Sequence, residues 1–141
     1  MEDSFHYLLL ANQAMLHKQL LTQLKDTGLT LGQPKVLDYL RQHDGANQAE
    51  IARACHIEPA SLTSVLNRME EKELVERRTQ QGDRRSFSVH LTEQGHLLAL
   101  RVEQAFEELE EQALQGVSEA EREQFLAVFR RVYDNLKEGE R

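Results

Sequence analysis

What the sequence has least of sets the first limits on what it can be. One cysteine, Cys55, stands among 141 residues, so no internal disulfide can form. The six histidines include no pair four residues apart and no cysteines at zinc-finger spacing, so neither a metal-stapled fold nor a cofactor is expected. Apolar runs are short. Tyr7–Leu10 falls far below the roughly 20 residues that span a bilayer, and no basic stretch with a small-residue cleavage site opens the chain. A soluble, cytoplasmic protein is the expectation. There is no glycine-rich phosphate loop and no nucleophile elbow, and Cys55 and His56, being adjacent, project in different directions. An enzyme is therefore not expected, and with 40% apolar residues and no internal repeat the chain should form one compact unit.

The net charge of -7 at first argues against a nucleic-acid partner, because affinity for phosphate comes from Lys and Arg. Its distribution answers the objection. Residues 1 to 52 carry 4 basic and 6 acidic side chains, residues 53 to 90 carry 7 and 6, and residues 91 to 141 carry 6 and 12. The acid is concentrated at the C-terminal end, which leaves a local basic surface possible while the remainder favours solubility.

Apolar residues recur at helical spacing from Phe5 to Leu24 and stop before Asp26-Thr27-Gly28, which predicts a long first helix. Thr30 and Gln33 have capping-box spacing ahead of Val36, Leu37 and Leu40, with Pro34 in the first turn, where a missing N–H costs least. Asn47 and Glu50 repeat that spacing before a helix of about two turns ending at Cys55, and a tight turn leads to Pro59. The helix that Pro59 opens runs to about Lys72, with Leu62, Val65, Leu66 and Met69 as its core face and Glu58 in the capping position. Two short helices joined by a turn form a helix-turn-helix. The period then changes to alternation: Leu74–Thr79, a polar turn at Gln80–Asp83, and Phe87, Val89 and Leu91 on one face, which predicts a β-hairpin. Thr92 should cap a helix carrying Leu97, Leu100, Phe106, Leu109 and Ala113, and Ser118 with Glu121 a last helix carrying Phe125, Val128, Phe129, Val132 and Leu136.

The outer face of the fourth helix offers Ala60, Ser61, Thr63, Ser64, Asn67 and Arg68, all small or hydrogen-bonding. A helix that enters the major groove needs that profile, since bulky residues would hold its backbone away from base edges and phosphates. An ordinary solvent face looks the same when taken alone. The hairpin behind it decides between them: Gly82-Asp83-Arg84-Arg85 puts two guanidiniums on a narrow tip able to approach a minor groove, with Asp83 placed to hold an arginine extended.

Helix-turn-helix followed by Asp83-Arg84-Arg85-Ser86-Phe87-Ser88-Val89-His90-Leu91-Thr92-Glu93-Gln94-Gly95 resembles the signature of MarR-type transcriptional regulators. Its fixed points are the Asp, the Arg two residues on, the Leu-Thr pair, and the Gly three residues after that Thr. The resemblance implies a mainly α fold with a small β-hairpin wing, a winged helix-turn-helix flanked by N- and C-terminal dimerisation helices. Residues 1–28 would be the N-terminal dimerisation helix, 29–91 the DNA-binding region and 92–141 the C-terminal dimerisation helices. By the same resemblance Arg85 would be the minor-groove arginine, Asp83 its partner, Ala60, Ser61, Thr63 and Ser64 would lie near bases, and Arg68 near the backbone. It further implies a homodimer that binds double-stranded DNA as an inverted repeat, its recognition helices on the order of 34 Å apart. Sequence supports the dimer independently, since the apolar faces of the first and last helices have no evident partner in so small a domain.

Members of that family are often repressors released by small aromatic or anionic effectors. His17, Tyr39, His43 and Arg101 are helix residues that could line an effector cleft, although such residues are commonly surface or satisfied core groups. Cys55 occupies a position where a helix-turn-helix packs an apolar residue, which favours a buried small hydrophobe over a redox sensor. Two alternatives stand beside a repressor: a winged-helix protein-interaction module without DNA binding, and a cysteine-based redox-sensing regulator. The retained Arg68, Arg84 and Arg85 count against the former.

Overall fold

The computed structural model describes residues 1–30, 32–80 and 83–140, the side chains of 80 and 83–86 excepted. Helix α1 (Phe5–Gln23) begins where the Ser4 side chain accepts from the Tyr7 N–H, and a 3-10 turn (Lys25–Thr27) follows it. Helices α2 (Gln33–Gln42), α3 (Gln48–Cys55) and α4 (Pro59–Glu71) precede strands β1 (Val75–Gln80) and β2 (Asp83–Leu91), then helices α5 (Glu93–Ala113) and α6 (Glu119–Gly139). Contacts divide the chain into two compact units, Met1–Leu109 and Glu110–Arg141.

The core of the first unit draws on every helix within it. Leu20 and Leu24 meet Val36, Leu37 and Leu40 of α2, Ile51 and Cys55 of α3, and Leu62, Leu66 and Met69 of α4, with Val75, Val89 and Leu91 from the hairpin. Each large apolar side chain withdrawn from water contributes about 1.5–3 kcal/mol, so the spacing of these residues is what fixes the faces of the helices.

The helix ends follow local chemistry, with two departures from the sequence pattern. Asn47 caps α3 by accepting from the Glu50 N–H at 2.9 Å, as the spacing predicts. Thr30 does not cap α2. Gly32, at φ 85, takes the N-cap position, and only the return half of the predicted box exists, the Thr30 N–H donating to Gln33 Oε1 at 3.1 Å. Gln33 is 1% exposed, and Lys72 Nζ also reaches its Oε1 while donating to the Gly28 carbonyl at 2.8 Å, which satisfies a buried amide and ties this connection to the end of α4. Glu58 is the N-cap residue of α4 by position but makes no side-chain capping bond. Pro59 at the first helical position lacks an N–H, which leaves one fewer unpaired donor at this helix start.

The hairpin is antiparallel, with Val75 opposite Leu91 and Thr79 opposite Phe87. Gln80 then pairs with Asp83, so residues 84–86 of β2 stand between the partners of two consecutive β1 residues. The strands therefore run further toward the tip than the alternation predicts, and the backbones of Asp83, Arg84 and Arg85 belong to β2 rather than to a free loop. A third stretch of backbone joins the sheet. The Gly45 N–H donates to the Val89 carbonyl, the Val89 N–H donates to the Ala46 carbonyl, and Asn47 bridges Ser88. Asp44 adds an anchor, its Oδ1 accepting from the Leu91 N–H at 2.7 Å.

Helix α5 turns a different face inward from the one its leucines suggest. Ala99, Val102, Ala105 and Leu109 are buried, whereas Leu97 is 65% and Leu100 51% exposed. The cause lies at its start. Thr92 Oγ1 accepts from the Gly95 N–H, and Gly95 lies directly on the Leu74 carbonyl, which turns its side of the helix inward and with it Ala99, Val102 and Leu109 at helical spacing. In the second unit, α6 opens with the predicted capping box between Ser118 and Glu121. Its Phe125, Leu126, Val128, Phe129 and Leu136 are all exposed. Among the described residues no helix is long and apolar enough to cross a membrane.

Candidate nucleic-acid interface

Helix α4 separates its residues cleanly. Leu62, Leu66 and Met69 are buried, and Ala60, Ser61, Thr63, Ser64, Asn67 and Arg68 are all exposed. Helical periodicity produces this split: once every third or fourth residue is drawn into the core, the positions between them form one continuous outward face. The turn that aims α4 is made by His56 in the left-handed conformation, φ 52, with the Ile57 N–H returning to the Ala52 carbonyl at 3.0 Å.

Three polar contacts organise that face. Thr63 Oγ1 donates to the Pro59 carbonyl at 3.1 Å, and Gln48 Nε2 of α3 reaches the same hydroxyl at 3.5 Å, linking the two helices of the motif. Arg77 of β1 donates from Nη2 to Asn67 Oδ1 at 2.8 Å, linking the hairpin to the helix. The neighbouring Arg78 is occupied by Glu76, Nε to Oε1 at 2.9 Å. Gln48 and Arg77 were not singled out in the sequence. Both act across elements, and neither sequence separation has a periodicity that would reveal it. The side chains of Asp83, Arg84 and Arg85 lie outside the described residues.

The four candidate effector residues divide. Tyr39 and His43 stack with ring centroids 4.3 Å apart, and both line a depression of about 410 Å³ together with Lys35, Asp38, Arg41 and Cys55. Arg101 is engaged elsewhere, donating from Nη2 to the Gln23 carbonyl at 3.0 Å and so holding α5 to the end of α1. His17 lies on α1, half-buried, its Nε2 without a partner among the described residues.

Around the depression burial governs the charges. Withdrawal from water raises the Asp38 carboxyl, Arg41 offsetting part of the rise and Glu103 adding to it. Arg41 Nε lies 3.0 Å from Glu103 Oε2 as an ion pair without the alignment of a hydrogen bond. Cys55 is 5% exposed and its Sγ points to the Lys35 carbonyl at 3.7 Å. Burial pushes its thiol up, Lys35 pulls it partly back, and Asp38 adds to the rise. No group of His, Cys, Asp and Glu among the described residues could hold a metal ion.

Helix-turn-helix, exposed polar recognition face and β-hairpin define a winged-helix protein. The model of the MarR family matches residues 29–87 of the chain. A Thauera aromatica protein that carries the name of a transcriptional regulatory protein for the hcr operon is 31% identical over 106 residues, 75% of this chain and 64% of that relative. The chain thus spans a little under two thirds of that protein's length. The S. aureus MepR-DNA complex has a TM-score of 0.86 and 26% identity, covering 94% of this chain and 98% of the MepR chain. A Listeria monocytogenes protein complexed with a 26mer DNA shares the fold at a TM-score of 0.89 with 19% identity, covering 99% of this chain and 92% of its own.

Proposed function

We propose that this chain is a sequence-specific DNA-binding transcriptional regulator, a homodimeric repressor that places α4 in the major groove and the β1–β2 wing against the minor groove of an inverted repeat. One observation carries the reading: the side of α4 opposite the core is continuous, exposed and made of small or hydrogen-bonding residues, with Asn67 and Arg68 at its far end. Such a face lets a helix backbone approach base edges, and Arg68 can neutralise a phosphate. The likeness to MepR in complex with DNA supports the same docking. On the wing, Arg84 and Arg85 stand where β2 breaks register, beside the tip, and Arg85 is the minor-groove contact with Asp83 orienting it.

A second copy of the chain accounts for the exposed apolar residues. Phe5, Leu8 and Leu16 of α1 and Phe125, Val128 and Phe129 of α6 are large hydrophobics in contact with water, and a two-fold interface would cover them. The depression holding Tyr39 and His43 is the effector site of this reading. Its stacked ring pair and the Lys35 cation suit a small aromatic anion, which releases DNA by binding the released state more tightly than the bound one.

Selection of sites from random duplex DNA, followed by salt titration of the selected site, tests the proposal. An enriched inverted repeat with half-sites about one helical turn apart, bound with steep salt dependence, is the expected result. No enrichment at low salt by a folded dimer would overturn it in favour of a protein-interaction module. A promoter fused to the selected site should lose output when the protein is expressed; increased output would overturn repression while leaving DNA binding intact.

A further inference from the structure

The hydrogen bond between Arg77 and Asn67 does more than join a strand to a helix. A primary amide has an acceptor end and a donor end, and a free asparagine can present either by turning about its last torsion. With Oδ1 held by Arg77 Nη2 at 2.8 Å, the Nδ2 group is left on the other side. The bond is charge-assisted, which favours this amide orientation over its reverse, since the reverse would set an NH2 group against a guanidinium. Arg77 itself has little room to leave: it is half-buried, and its Nε is enclosed without a hydrogen-bond partner among the described residues. Asn67 lies on the exposed face of α4, seven residues after Ala60 and three after Ser64, so all three share one stripe of the helix.

We propose that Arg77 is a positioning residue that fixes Asn67 with its amide NH2 outward, so that Asn67 reads a hydrogen-bond acceptor on a base edge. Purine N7, guanine O6 and thymine O4 meet that requirement, and the cytosine N4 amino group does not. Arg77 therefore takes part in sequence discrimination without touching DNA. The inference rests on α4 being the recognition helix.

The test is affinity for the selected site and for its single-base-pair variants, measured with the full-length dimer and with Asn67→Ala, Arg77→Ala, Arg77→Lys, Asn67→Asp and the double alanine variant. Asn67→Ala should flatten preference at one base pair in each half-site. Arg77→Ala should lower preference at that same base pair by about fivefold to tenfold, leaving the other positions unchanged. The double variant should discriminate no worse there than Asn67→Ala alone, and Arg77→Lys, which keeps one donor, should recover part of the preference. Asn67→Asp keeps a partner for Arg77 but has no NH2, so its preference at that position should shift toward cytosine. Arg77→Ala that retains the parent's preference everywhere, or loses affinity equally for all sequences, would overturn the inference. Should Arg77→Ala fail to fold, Asn67→Asp still decides: unchanged base preference in that variant would overturn it. If the parent itself enriches no site, the reading of α4 fails first, and that outcome is distinct from a parent that discriminates and an Arg77 variant that does so equally well.

Discussion

Gly95 packs against the carbonyl of Leu74 so closely that a Cβ on it would lie 2.0 Å from the oxygen. That carbonyl also accepts from the Thr92 N–H at 3.0 Å, so the end of α4, the start of β1 and the first turn of α5 meet at one backbone group. Replacing Gly95 by Ala should cost about 1–3 kcal/mol, because backbone must move to admit the methyl group. Thermal unfolding measures this directly. An unchanged melting temperature would mean that α5 can shift away freely.

Arg85→Ala should weaken binding to the selected site by about 1–3 kcal/mol with unchanged helicity and melting temperature. Equal affinity of a folded variant would remove the wing from recognition.

Cys55 should behave as a buried thiol. Because burial raises its pKa above the value in the unfolded chain, the folded protein holds the proton more tightly. The associated stability is fully present below the unfolded thiol's pKa and is lost as pH rises from there through the folded value. At neutral pH, alkylation by iodoacetamide should be much slower than for the protein in denaturant. DNA affinity should not respond to peroxide, in the parent or in Cys55→Ser; a response confined to the parent would establish a redox sensor.

The α6 cap carries the opposite pH dependence. Backbone and side-chain hydrogen bonds to Ser118 hold the Glu121 carboxyl below its usual range. A depressed folded pKa gives stability that is present above the unfolded carboxyl value and lost as pH falls through the folded one. Amide exchange in the first turn of α6 should therefore quicken on acidification, and Glu121→Gln, which leaves no carboxyl to titrate at that cap, should remove most of that pH dependence, whereas Ser118→Ala keeps the backbone donor and should remove only part of it.

Phe125 and Phe129 stack at 5.2 Å between ring centroids on an exposed face, and both are open to a second chain. Phe129→Glu should shift sedimentation from dimer to monomer and reduce affinity for the inverted repeat far more than for a single half-site. A dimer that persists unchanged would place the interface elsewhere.

Much of this molecule is local and was legible as such. Period 3.6 marked the helices, and capping pairs such as Asn47 with Glu50 and Ser118 with Glu121 marked two of their starts, because these signals act over three or four residues. The alternation from Leu74 onward gave the hairpin, and the polar residues of α4 followed once its core face was known. Other features exist only because distant segments meet. Leu97 and Leu100 have the right spacing for a core and yet lie outside, since contact of Gly95 with Leu74 turns the face of Gly95, Ala99, Val102 and Leu109 inward. The addition of residues 45–47 to β2 depends on where α2 ends against the sheet. Tyr39 and His43 share a depression, while Arg101 is spent on α1. Arg77 and Asn67 are ten residues apart on different elements, and only the packing of β1 beside α4 brings them within a hydrogen bond. Sequence by itself determined the elements and their apolar faces through short-range periodicity; tertiary packing decided which polar groups meet, because hydrogen-bond partners are fixed by position in space and not by spacing along the chain.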